Sequence, residues 1–475
     1  MEEFLLNIVA TANSYISTYV LVILLIGVGV FYTIKTRFVQ VRCFGEGWRR
    51  VFGKSKKSGN GLSTFQALTT AIAAQVGTGN IVGACGAILI GGPGAIFWMW
   101  IIAFLGMATI YAEATLAQQT REIDADGNIH GGPVYYIKRA FRGKLGKFLA
   151  GFFAVAVIIA LGFIGSMVQS NSIAESISSI TGAPEYGWIV GAVVVLLAGF
   201  IFLGGIKRIA SVTEKMVPFM AILYLIGGLF VICVNITNLP AAFGAIFKYA
   251  FMPQAIIGGG IGYALKEAIS QGAKRGLFSN EAGMGSTPHA HAMANVEKPH
   301  DQGVAAMIGV FIDTFVVLTM TALVVIISLY CGDGILANGH QAGEMMNGLV
   351  VAKTNMVQLA FGEAFTSVFG AAGYTIGNVF VAVCLFFFAF STIIGWNFFG
   401  KVNVEYLFGK IGVKIYSVIA LVFIFLGTLT SNDLVWELTD FVNYLMVFPN
   451  VLALLALSGM VVACAKIKKK NNPLE

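Results

Sequence analysis

Charge is scarce in this sequence. Of its 475 residues, 11% are Asp, Glu, Lys or Arg, and 57% are hydrophobic. Soluble domains carry about 25% charged residues, so the composition excludes an ordinary soluble protein and predicts a polytopic, all-α membrane protein in a lipid bilayer. The net charge of +7 would suit a nucleic acid, but the basic residues lie between apolar segments. We therefore expect no nucleic-acid partner.

Signs of a secreted, metal-binding or catalytic protein are also missing. The six cysteines form no CxxC pair, so we expect neither structural disulfides nor a metal cluster. His289 and His291 stand two residues apart, and such positions point to different faces of a helix. We find no nucleophile–base pair, so we expect neither an enzyme nor a bound cofactor. The acidic start, Met1-Glu2-Glu3, is unlike a secretory signal, which predicts that the first apolar segment is retained.

Long apolar segments are what the sequence has instead. A helix needs about 20 apolar residues to cross a bilayer, and several segments here are longer, which predicts tilt or breaks. Eleven segments qualify, near residues 15–34, 62–90, 93–118, 148–180, 187–204, 213–236, 257–290, 303–331, 364–398, 412–430 and 434–464.

The basic residues predict the orientation of these spans. Lys and Arg concentrate in the cytoplasmic loops of membrane proteins. Of the 30 basic residues, all but five fall in segments that the eleven spans place on one side; the five exceptions are Lys248, Lys266, Lys274, Arg275 and Lys353. We therefore expect a protein of the cell membrane with its N-terminus outside and its C-terminus in the cytoplasm.

The most informative stretch is residues 77–100, GTGNIVGACGAILIGGPGAIFWMW. Gly is roughly 0.8–1 kcal/mol worse than Ala in a helix interior, so Gly77 and Gly79 predict a helix broken at Gly77–Asn80. Non-helical backbone survives at membrane depth only where protein or a water-filled cavity satisfies it. Secondary transporters build their substrate and ion sites from such broken helices.

A second span is interrupted in a corresponding position. The segment 257–290 contains Ser270-Gln271-Gly272 and then a run from Gly276 to Gly283. After the first helix ten spans remain, and the first of each five is the interrupted one. We predict one transmembrane domain over 1–475, with an extra helix at 15–34, a first repeat at 62–236 and an inverted second repeat at 257–464. The two interrupted spans are called helix 1 and helix 6.

Helix 1 offers backbone groups for a small zwitterion. The outer half of a broken helix begins with unpaired N–H groups and a partial positive charge, so the amides of Thr78, Gly79 and Asn80 would bind a carboxylate. The inner half ends in carbonyls from about Ala73 to Val76, which suit Na⁺ or an ammonium group. The alternative is a helix-packing face of small residues.

Helix 6 carries charges that membrane helices rarely tolerate. We favour gate salt bridges near the cytoplasmic end for Lys274, Arg275 and Glu281 over direct substrate contact. Carbonyls around Ser270, Gln271 and Gly272 are expected to receive the substrate ammonium. Glu113 and Asp313, in neighbouring spans, suit either proton transfer or a structural pairing.

Two further spans carry polar groups at mid-length. In the ninth segment, FFFAFSTIIGWNFF, Ser391 and Thr392 either bond back to carbonyls of their own helix or offer ion ligands. Trp396 shares a face with Thr392. We expect it to form a wall of the substrate pocket together with the aromatic run 386–388; the alternative is that it belongs to the interfacial belt. Gln169 either reaches a substrate carboxylate or bonds between helices.

The runs GTGNIVG, GGPGAIFWMW and RGLFSNEAGMGSTPHAHA resemble those of the sodium:alanine symporters, also called the alanine or glycine:cation symporter family, over essentially the whole chain. The resemblance implies the neurotransmitter:sodium-symporter fold, with 5+5 inverted repeats. It also implies a sodium site made by the carbonyls of Ala73, Val76 and Phe388 with the hydroxyls of Ser391 and Thr392, and a position for Trp396 beside the substrate side chain.

These observations predict a sodium-coupled symporter that imports alanine or glycine by alternating access, with Na⁺ as the coupling ion. Coupling to protons is the main alternative. An ion channel fits less well, because the polar residues cluster at the helix breaks and do not form a continuous path. A membrane-embedded enzyme also fits less well, because we find no pair of reactive residues that its chemistry would need.

Overall fold

The structure is a computed structural model that describes residues 2–53, 61–252, 261–337, 345–346 and 349–466. Several residues used in the sequence argument lie outside these ranges, namely Lys54, Lys56, Lys57, Lys468, Lys469, Lys470 and the first four residues of the segment 257–290.

The described part of the chain is almost entirely helical, which confirms the all-α prediction. The first helices are α1 (Glu2–Tyr15), α2 (Val22–Lys35), α3 (Val39–Arg42), α4 (Phe44–Phe52), α5 (Thr64–Gln75), α6 (Ala84–Gly91), α7 (Ala95–Thr120), α8 (Pro133–Ala140), α9 (Gly143–Val157), α10 (Ser166–Thr181), α11 (Gly187–Phe202), α12 (Gly205–Val234) and α13 (Leu239–Phe251). The remaining helices are α14 (Ile261–Asn280), α15 (Pro288–Ala292), α16 (Pro299–Val310), α17 (Thr319–Val325), α18 (Met356–Phe369), α19 (Ala371–Gly427), α20 (Asn432–Ala456) and α21 (Ser458–Ala465).

Short segments of other structure join these helices. Wider π-helical turns continue several of them, at Ile16–Leu21, Gly79–Gly83, Ile158–Gly165, Phe311–Leu318 and Ile326–Tyr330. Turns of 3-10 helix lie at Pro184–Tyr186 and Ile236–Asn238. Two small antiparallel hairpins pair β1 (Glu122–Ile123) with β2 (Ile129–His130) and β3 (Met345–Met346) with β4 (Leu349–Val350).

Within the described residues, seven helices are long and apolar enough to cross a membrane, and a bent pair adds an eighth. The predicted number of eleven is therefore not confirmed. The predicted spans 364–398 and 412–430 both lie mostly in α19, which bends at Gly409. The expected start of the first of these at 364 is wrong, because Gly370 (φ 63°) ends α18 and α19 begins after it.

Helix 1 is broken where the glycines predict. The helix α5 ends at Gln75, and the segment Gly79–Gly91 continues at an angle of 50° to it. We call the intervening residues 76–78 break 1. A capping box fixes the start of α5, because Ser63 accepts from the Gln66 amide while the Gln66 side chain accepts from the Ser63 amide.

Helix 6 is also broken. Of its two expected interruptions, the one at Ser270-Gln271-Gly272 is wrong, and the run from Gly276 to Gly283 overlaps the break only in its last three residues. The helix α14 runs without a break through Ser270-Gln271-Gly272 and ends at Asn280. Residues 281–287, which we call break 6, separate it from α15. Gly272 serves packing instead, because a Cβ there would meet the Trp98 side chain of α7 at 2.6 Å.

The two broken helices meet at the centre of the bundle, and apolar surface lies at its periphery. Helices α14 and α19 contact α5, α6 or the turn that joins them, and α10 reaches the break through the hydrogen bond between Gln169 and Thr78. Large apolar side chains such as Leu196 (73% exposed) and Phe200 (69%) cover the outside of α11. Exposed apolar surface of this extent is typical of a lipid-facing helix.

Candidate functional site

Two side-chain amides accept hydrogen bonds from the freed backbone N–H groups of break 1. The Asn80 Oδ1 accepts from the Gly77 N–H at 3.0 Å, and the Gln169 Oε1 accepts from the Thr78 N–H at 3.2 Å. The Asn80 N–H donates to the Gly77 carbonyl at 3.2 Å. The structure thus brings together three residues that the sequence singled out, and it gives two of the three candidate amides an acceptor within the protein.

Two polar atoms at break 1 remain without a partner in the described structure. The Thr78 hydroxyl and the Gln169 Nε2 are fully buried and form no hydrogen bond there. A buried polar group without a partner costs about 1–3 kcal/mol, so such atoms mark a place for a ligand. Both atoms can donate a hydrogen bond, so the ligand that suits them is an acceptor such as a carboxylate.

Five oxygen atoms converge beside this break. The Thr392 hydroxyl lies 3.1 Å from the carbonyl oxygens of both Ala73 and Phe388. The Ser391 hydroxyl lies 2.8 Å from the Phe388 oxygen and 3.4 Å from the Val76 oxygen. All five are neutral oxygens, the type of ligand that a hard cation takes. Both hydroxyls therefore form hydrogen bonds to a carbonyl of their own helix, α19, and each also lies within hydrogen-bond distance of a carbonyl at the end of α5.

Aromatic rings border the same space. Trp396 is 1% exposed and lies edge-on to Phe278, with ring centroids 5.9 Å apart. Phe278 in turn packs against Trp436 at 4.8 Å. The burial of Trp396 inside the protein contradicts a place in the interfacial belt. A Cβ at Gly165 would meet the Trp396 ring at 2.6 Å, so this glycine makes room for it.

The aromatic run 386–388 does not border the break as expected. The Phe387 ring packs against Phe219 of α12, and the Phe388 ring packs against Tyr224 of the same helix. The Phe219 side chain is 53% exposed. These rings hold α19 on α12. Consecutive helical residues point in different directions, so a run of rings cannot form a single wall.

Ion pairs link helix 6 to α20. The Lys274 Nζ lies 2.9 Å from the Asp440 carboxylate, and the Arg275 Nη1 lies 3.2 Å from it. Arg275 also lies over the Trp436 ring at 4.8 Å. Both basic residues lie in α14, before break 6, so these ion pairs join the first half of helix 6 to α20.

Glu281 takes no part in these ion pairs. It opens break 6 with a left-handed backbone (φ 57°) and accepts hydrogen bonds from the Trp396 indole and the Ser286 hydroxyl. Its expected role in a gate salt bridge is therefore wrong.

Two buried acids fix the breaks to their surroundings. The Asp313 carboxylate accepts from the Asn80 Nδ2 at 2.6 Å, the Ser279 hydroxyl at 3.0 Å and the Thr314 hydroxyl at 2.8 Å. It therefore links helix 1 to the end of α14. The Glu113 carboxylate accepts from the backbone amides of Gly283 at 3.2 Å and Gly285 at 2.9 Å.

Other candidates lie away from the breaks. The Gln271 Nε2 donates to Glu267 at 2.7 Å within α14, almost three turns before break 6. The carbonyls of Ser270, Gln271 and Gly272 lie in an intact helix, so the structure does not bring them to break 1. His289 contacts Asn403 and His291 contacts Gln302, as expected of two histidines on different faces.

Sequence reasoning missed Phe278, Ser279, Trp436 and Asp440. A signal existed for the last of these, because Glu437 and Asp440 are acids inside an apolar segment and match the basic pair Lys274 and Arg275 in charge. Phe278 and Ser279 lie in the run RGLFSNEAGMGSTPHAHA, so a signal existed for them as well, but it gave neither residue a role.

Comparisons with known proteins agree with this architecture. The sodium:alanine symporter family model matches residues 2–472. The chain is 39% identical to the sodium/alanine symporter AgcS of Methanococcus maripaludis, over 97% of this chain and 96% of that protein. It is 40% identical to a putative sodium/proton-dependent alanine carrier protein, YrbD, of Bacillus subtilis, over 95% and 90% of the two chains.

A solved structure shares the fold. The crystal structure of MhsT in complex with L-phenylalanine superimposes with a TM-score of 0.63, over 87% of this chain and 94% of that one, at 14% identity. Fold and sequence therefore lead to one assignment: the chain belongs to the sodium:alanine symporter family and has the neurotransmitter:sodium-symporter fold.

Proposed function

We propose that this protein is a sodium-coupled symporter that imports alanine and glycine across the cell membrane by alternating access. The observation that carries the proposal is the contact between two unlike sites at break 1. Five neutral oxygens converge beside it, and the donors of Thr78 and Gln169 that lack a partner in the described structure lie at the same break. One short segment of backbone thus belongs to both a cation site and an anion site.

The substrate carboxylate is assigned to break 1. It would accept from the Thr78 hydroxyl and the Gln169 Nε2, and it would replace the Gln169 oxygen at the Thr78 amide. Gly79 and Asn80 continue the same turn with their amides. The ammonium group is assigned to the carbonyl end of α14 rather than to Ser270–Gly272, because the last carbonyls of a helix lack partners within it.

The substrate side chain is assigned to the space between Phe278 and Trp396. These two rings are buried and in edge contact, so little volume is left for a larger group. Excess volume in a packed site costs about 1–3 kcal/mol. Alanine and glycine, with a methyl group or a hydrogen, are the amino acids that fit this restriction.

Sodium is assigned to the carbonyls of Ala73, Val76 and Phe388 and the hydroxyls of Ser391 and Thr392. A bound cation would join the end of α5 to α19 and hold break 1 in the form that binds the carboxylate. Each charge that moves down a membrane potential of 100 mV supplies about 2.3 kcal/mol. Binding of the two solutes at one break couples that energy to uptake.

Orientation and domain organisation complete the proposal. We assign the N-terminus to the outside and the basic loops to the cytoplasm, with one domain over 1–475 made of an extra helix and two inverted repeats at 62–236 and 257–464. The ion pairs of Lys274 and Arg275 with Asp440 then lie on the outer side of the substrate. Accessibility of Cys233, which is exposed at the end of α12, to an impermeant thiol reagent added outside would test the orientation.

Gradient-driven uptake tests the function. Purified protein is reconstituted into liposomes, and labelled alanine uptake is measured with an inward Na⁺ gradient, an inward H⁺ gradient or neither. We expect accumulation only with the Na⁺ gradient, and competition by glycine. Uptake that never exceeds equilibration, under either gradient, would exclude a coupled symporter and favour a passive pathway.

Coupling to protons is the second candidate, and one observation favours it. Asp313 is fully buried between the two breaks and is bonded only to neutral groups among its recorded partners. A buried carboxylate without a basic partner carries a proton readily. Accumulation driven by the H⁺ gradient and lost in Asp313→Asn would establish this alternative.

A further inference from the structure

A cluster of metal-ligand side chains lies away from the two breaks, where α4 packs on the start of α16. The Cys43 Sγ, a Glu46 carboxylate oxygen and a His300 ring nitrogen all lie within 4.8 Å of one another. Cys43 and His300 are buried, and Glu46 is half-buried. Because His300 is far from the other two in sequence, only the fold brings the three together.

A neighbouring tyrosine orients the histidine. The His300 Nδ1 lies 2.7 Å from the Tyr111 hydroxyl of α7, and the His300 Nε2 lies 3.6 Å from the Glu46 carboxylate. Metal-binding histidines usually bond their second ring nitrogen to a protein group, which fixes the ring. Tyr111 has this effect here and directs Nε2 to the cluster.

The segments that carry these residues are held tightly. A Cβ at Gly47 would meet the Val304 carbonyl, so α4 and α16 are in backbone contact. Arg50 lies 2.9 Å from Asp301 and only 3.7 Å from Glu46. Ligand atoms around a tetrahedral zinc ion lie about 3.3–3.8 Å apart, from bonds of about 2.0–2.3 Å. The distance of 3.6 Å between His300 Nε2 and Glu46 already lies in this range, and the limit of 4.8 Å leaves at most about 1–1.5 Å to close at the Cys43 Sγ.

We propose that Cys43, Glu46 and His300 form a binding site for a transition-metal ion of the Zn²⁺ type, with water as its fourth ligand. One sulfur, one nitrogen and one oxygen suit this class of metal, whereas Mg²⁺ and Ca²⁺ take oxygen alone. Three protein ligands leave the fourth position open. The site goes beyond amino acid transport and does not depend on which ion drives it.

Occupancy of this site restrains one side of helix 1. The helix α4 contacts α5, the inner half of helix 1, as well as α16. A metal ion that joins α4 to α16 therefore adds a cross-link on the side that we assign to the cytoplasm. Because alternating access requires that side to open, metal binding there slows transport.

Cobalt is the probe for the site. Untagged full-length protein is titrated with Co²⁺, whose bond to a thiolate gives a charge-transfer absorption band. We expect a band with one equivalent of Co²⁺ that Zn²⁺ abolishes. The band should be lost in Cys43→Ser and kept in the matched control Cys233→Ser, whose thiol is exposed on α12. Tyr111→Phe should weaken binding by about 10–100-fold, as loss of an outer partner does.

Three results would overturn the site: no band in the wild-type protein, a band that persists in Cys43→Ser, or an equal loss in Cys233→Ser. Alanine uptake without metal shows which variants are folded. If Cys43→Ser is not folded, His300→Gln is judged by the same criteria. Zn²⁺ inside proteoliposomes, on the side of the basic loops, should slow uptake by the wild type and not by Cys43→Ser. Equal rates with and without Zn²⁺ in the wild type would refute the restraint.

Discussion

The two broken helices differ in what satisfies their backbone. At break 1, neutral side chains accept hydrogen bonds from the freed backbone amides, and two side-chain donors remain without a partner in the described structure. At break 6, the Glu113 carboxylate already accepts from the amides of Gly283 and Gly285, and Asn450 donates to the same carboxylate at 2.6 Å. The comparison teaches that break 1 is left open for ligands, whereas break 6 is anchored by the protein itself.

Backbone geometry shows the same contrast. Break 1 returns to helix within residues 76–78 and ends in a π-helical turn, Gly79–Gly83. Break 6 needs left-handed backbone at Glu281, Gly283 and Gly285. That conformation is costly for a residue with a side chain, and Glu281 is held in it by Trp396 and Ser286. Break 6 is therefore the more strained of the two and depends more on its contacts.

The largest effect is expected from removing the anchor of break 6. In Glu113→Ala the amides of Gly283 and Gly285 lose their acceptor, and each buried amide without a partner costs about 1–3 kcal/mol. We expect the free energy of unfolding to fall by roughly 2–6 kcal/mol and transport to be lost. Thermal unfolding of the purified protein in detergent measures the first. Glu113→Gln, which keeps one oxygen acceptor, is the control and should lose less; wild-type stability in Glu113→Ala would show that break 6 needs no anchor.

A glycine pair tests whether break 1 is kept open. A Cβ at Gly77 would clash with the Thr392 hydroxyl, whereas a Cβ at Gly83 meets its first neighbour at 3.8 Å. We expect Gly77→Ala to abolish sodium-driven alanine uptake because the new methyl group displaces an ion ligand. Gly83→Ala, in the same helix, should transport nearly as well as the wild type. Equal uptake by the two variants in proteoliposomes would show that the space at Gly77 has no special role.

Single hydroxyl deletions measure the cation site at break 1. Thr392 lies 3.1 Å from two carbonyl oxygens, whereas Ser391 is 3.4 Å from its oxygen on helix 1. The loss of one ligand at about 1.4 kcal/mol corresponds to a tenfold change. We expect the half-saturating Na⁺ concentration to rise about tenfold in Thr392→Ala and less in Ser391→Ala. Thr69→Ala, whose hydroxyl donates to the Gln66 carbonyl of its own helix at 3.1 Å, is the control. An unchanged value in Thr392→Ala would move the ion elsewhere.

The smallest effect concerns Trp396, which touches both regions through Phe278 and Glu281. If its ring limits the substrate, Trp396→Ala should let valine or leucine compete with labelled alanine. We expect a change of about fivefold in their inhibition, which corresponds to the lower end of the 1–3 kcal/mol that excess volume costs. Trp188→Ala, at a side chain that is 53% exposed on α11, is the matched control. A well-expressed Trp396→Ala protein that still rejects leucine would contradict the pocket assignment.

Break 1 could be predicted from the sequence because Gly77 and Gly79 together weaken the helix at one place in an apolar segment. The same reasoning placed one of the two expected interruptions of helix 6 wrongly. Gly272 was weighed as a helix breaker, yet its lack of a side chain lets α14 approach α7. A glycine that serves packing and one that serves a turn look alike in a sequence, and only the tertiary contacts separate them.

The oxygen cluster shows how far a resemblance extends the prediction. Nothing in the spacing of Ala73, Val76 and Thr392 places α5 beside α19; the family resemblance supplied that contact, and the structure has it. Phe278, by contrast, lies inside the recognised run RGLFSNEAGMGSTPHAHA without a role assigned to it, and Trp436 lies outside every recognised run. Their position depends on where α14 ends, which a single sequence does not reveal.

The central claim is that one break couples the cation to the amino acid. It is tested most directly by alanine binding to the purified protein in detergent at increasing Na⁺ concentrations, for the wild type and for Thr392→Ala. Linkage requires that two ligands sharing a coupled site raise each other's affinity equally. We predict that Na⁺ tightens alanine binding to the wild type and that Thr392→Ala needs about ten times more Na⁺ for the same effect. Alanine affinity that is independent of Na⁺ in the wild type would contradict the account.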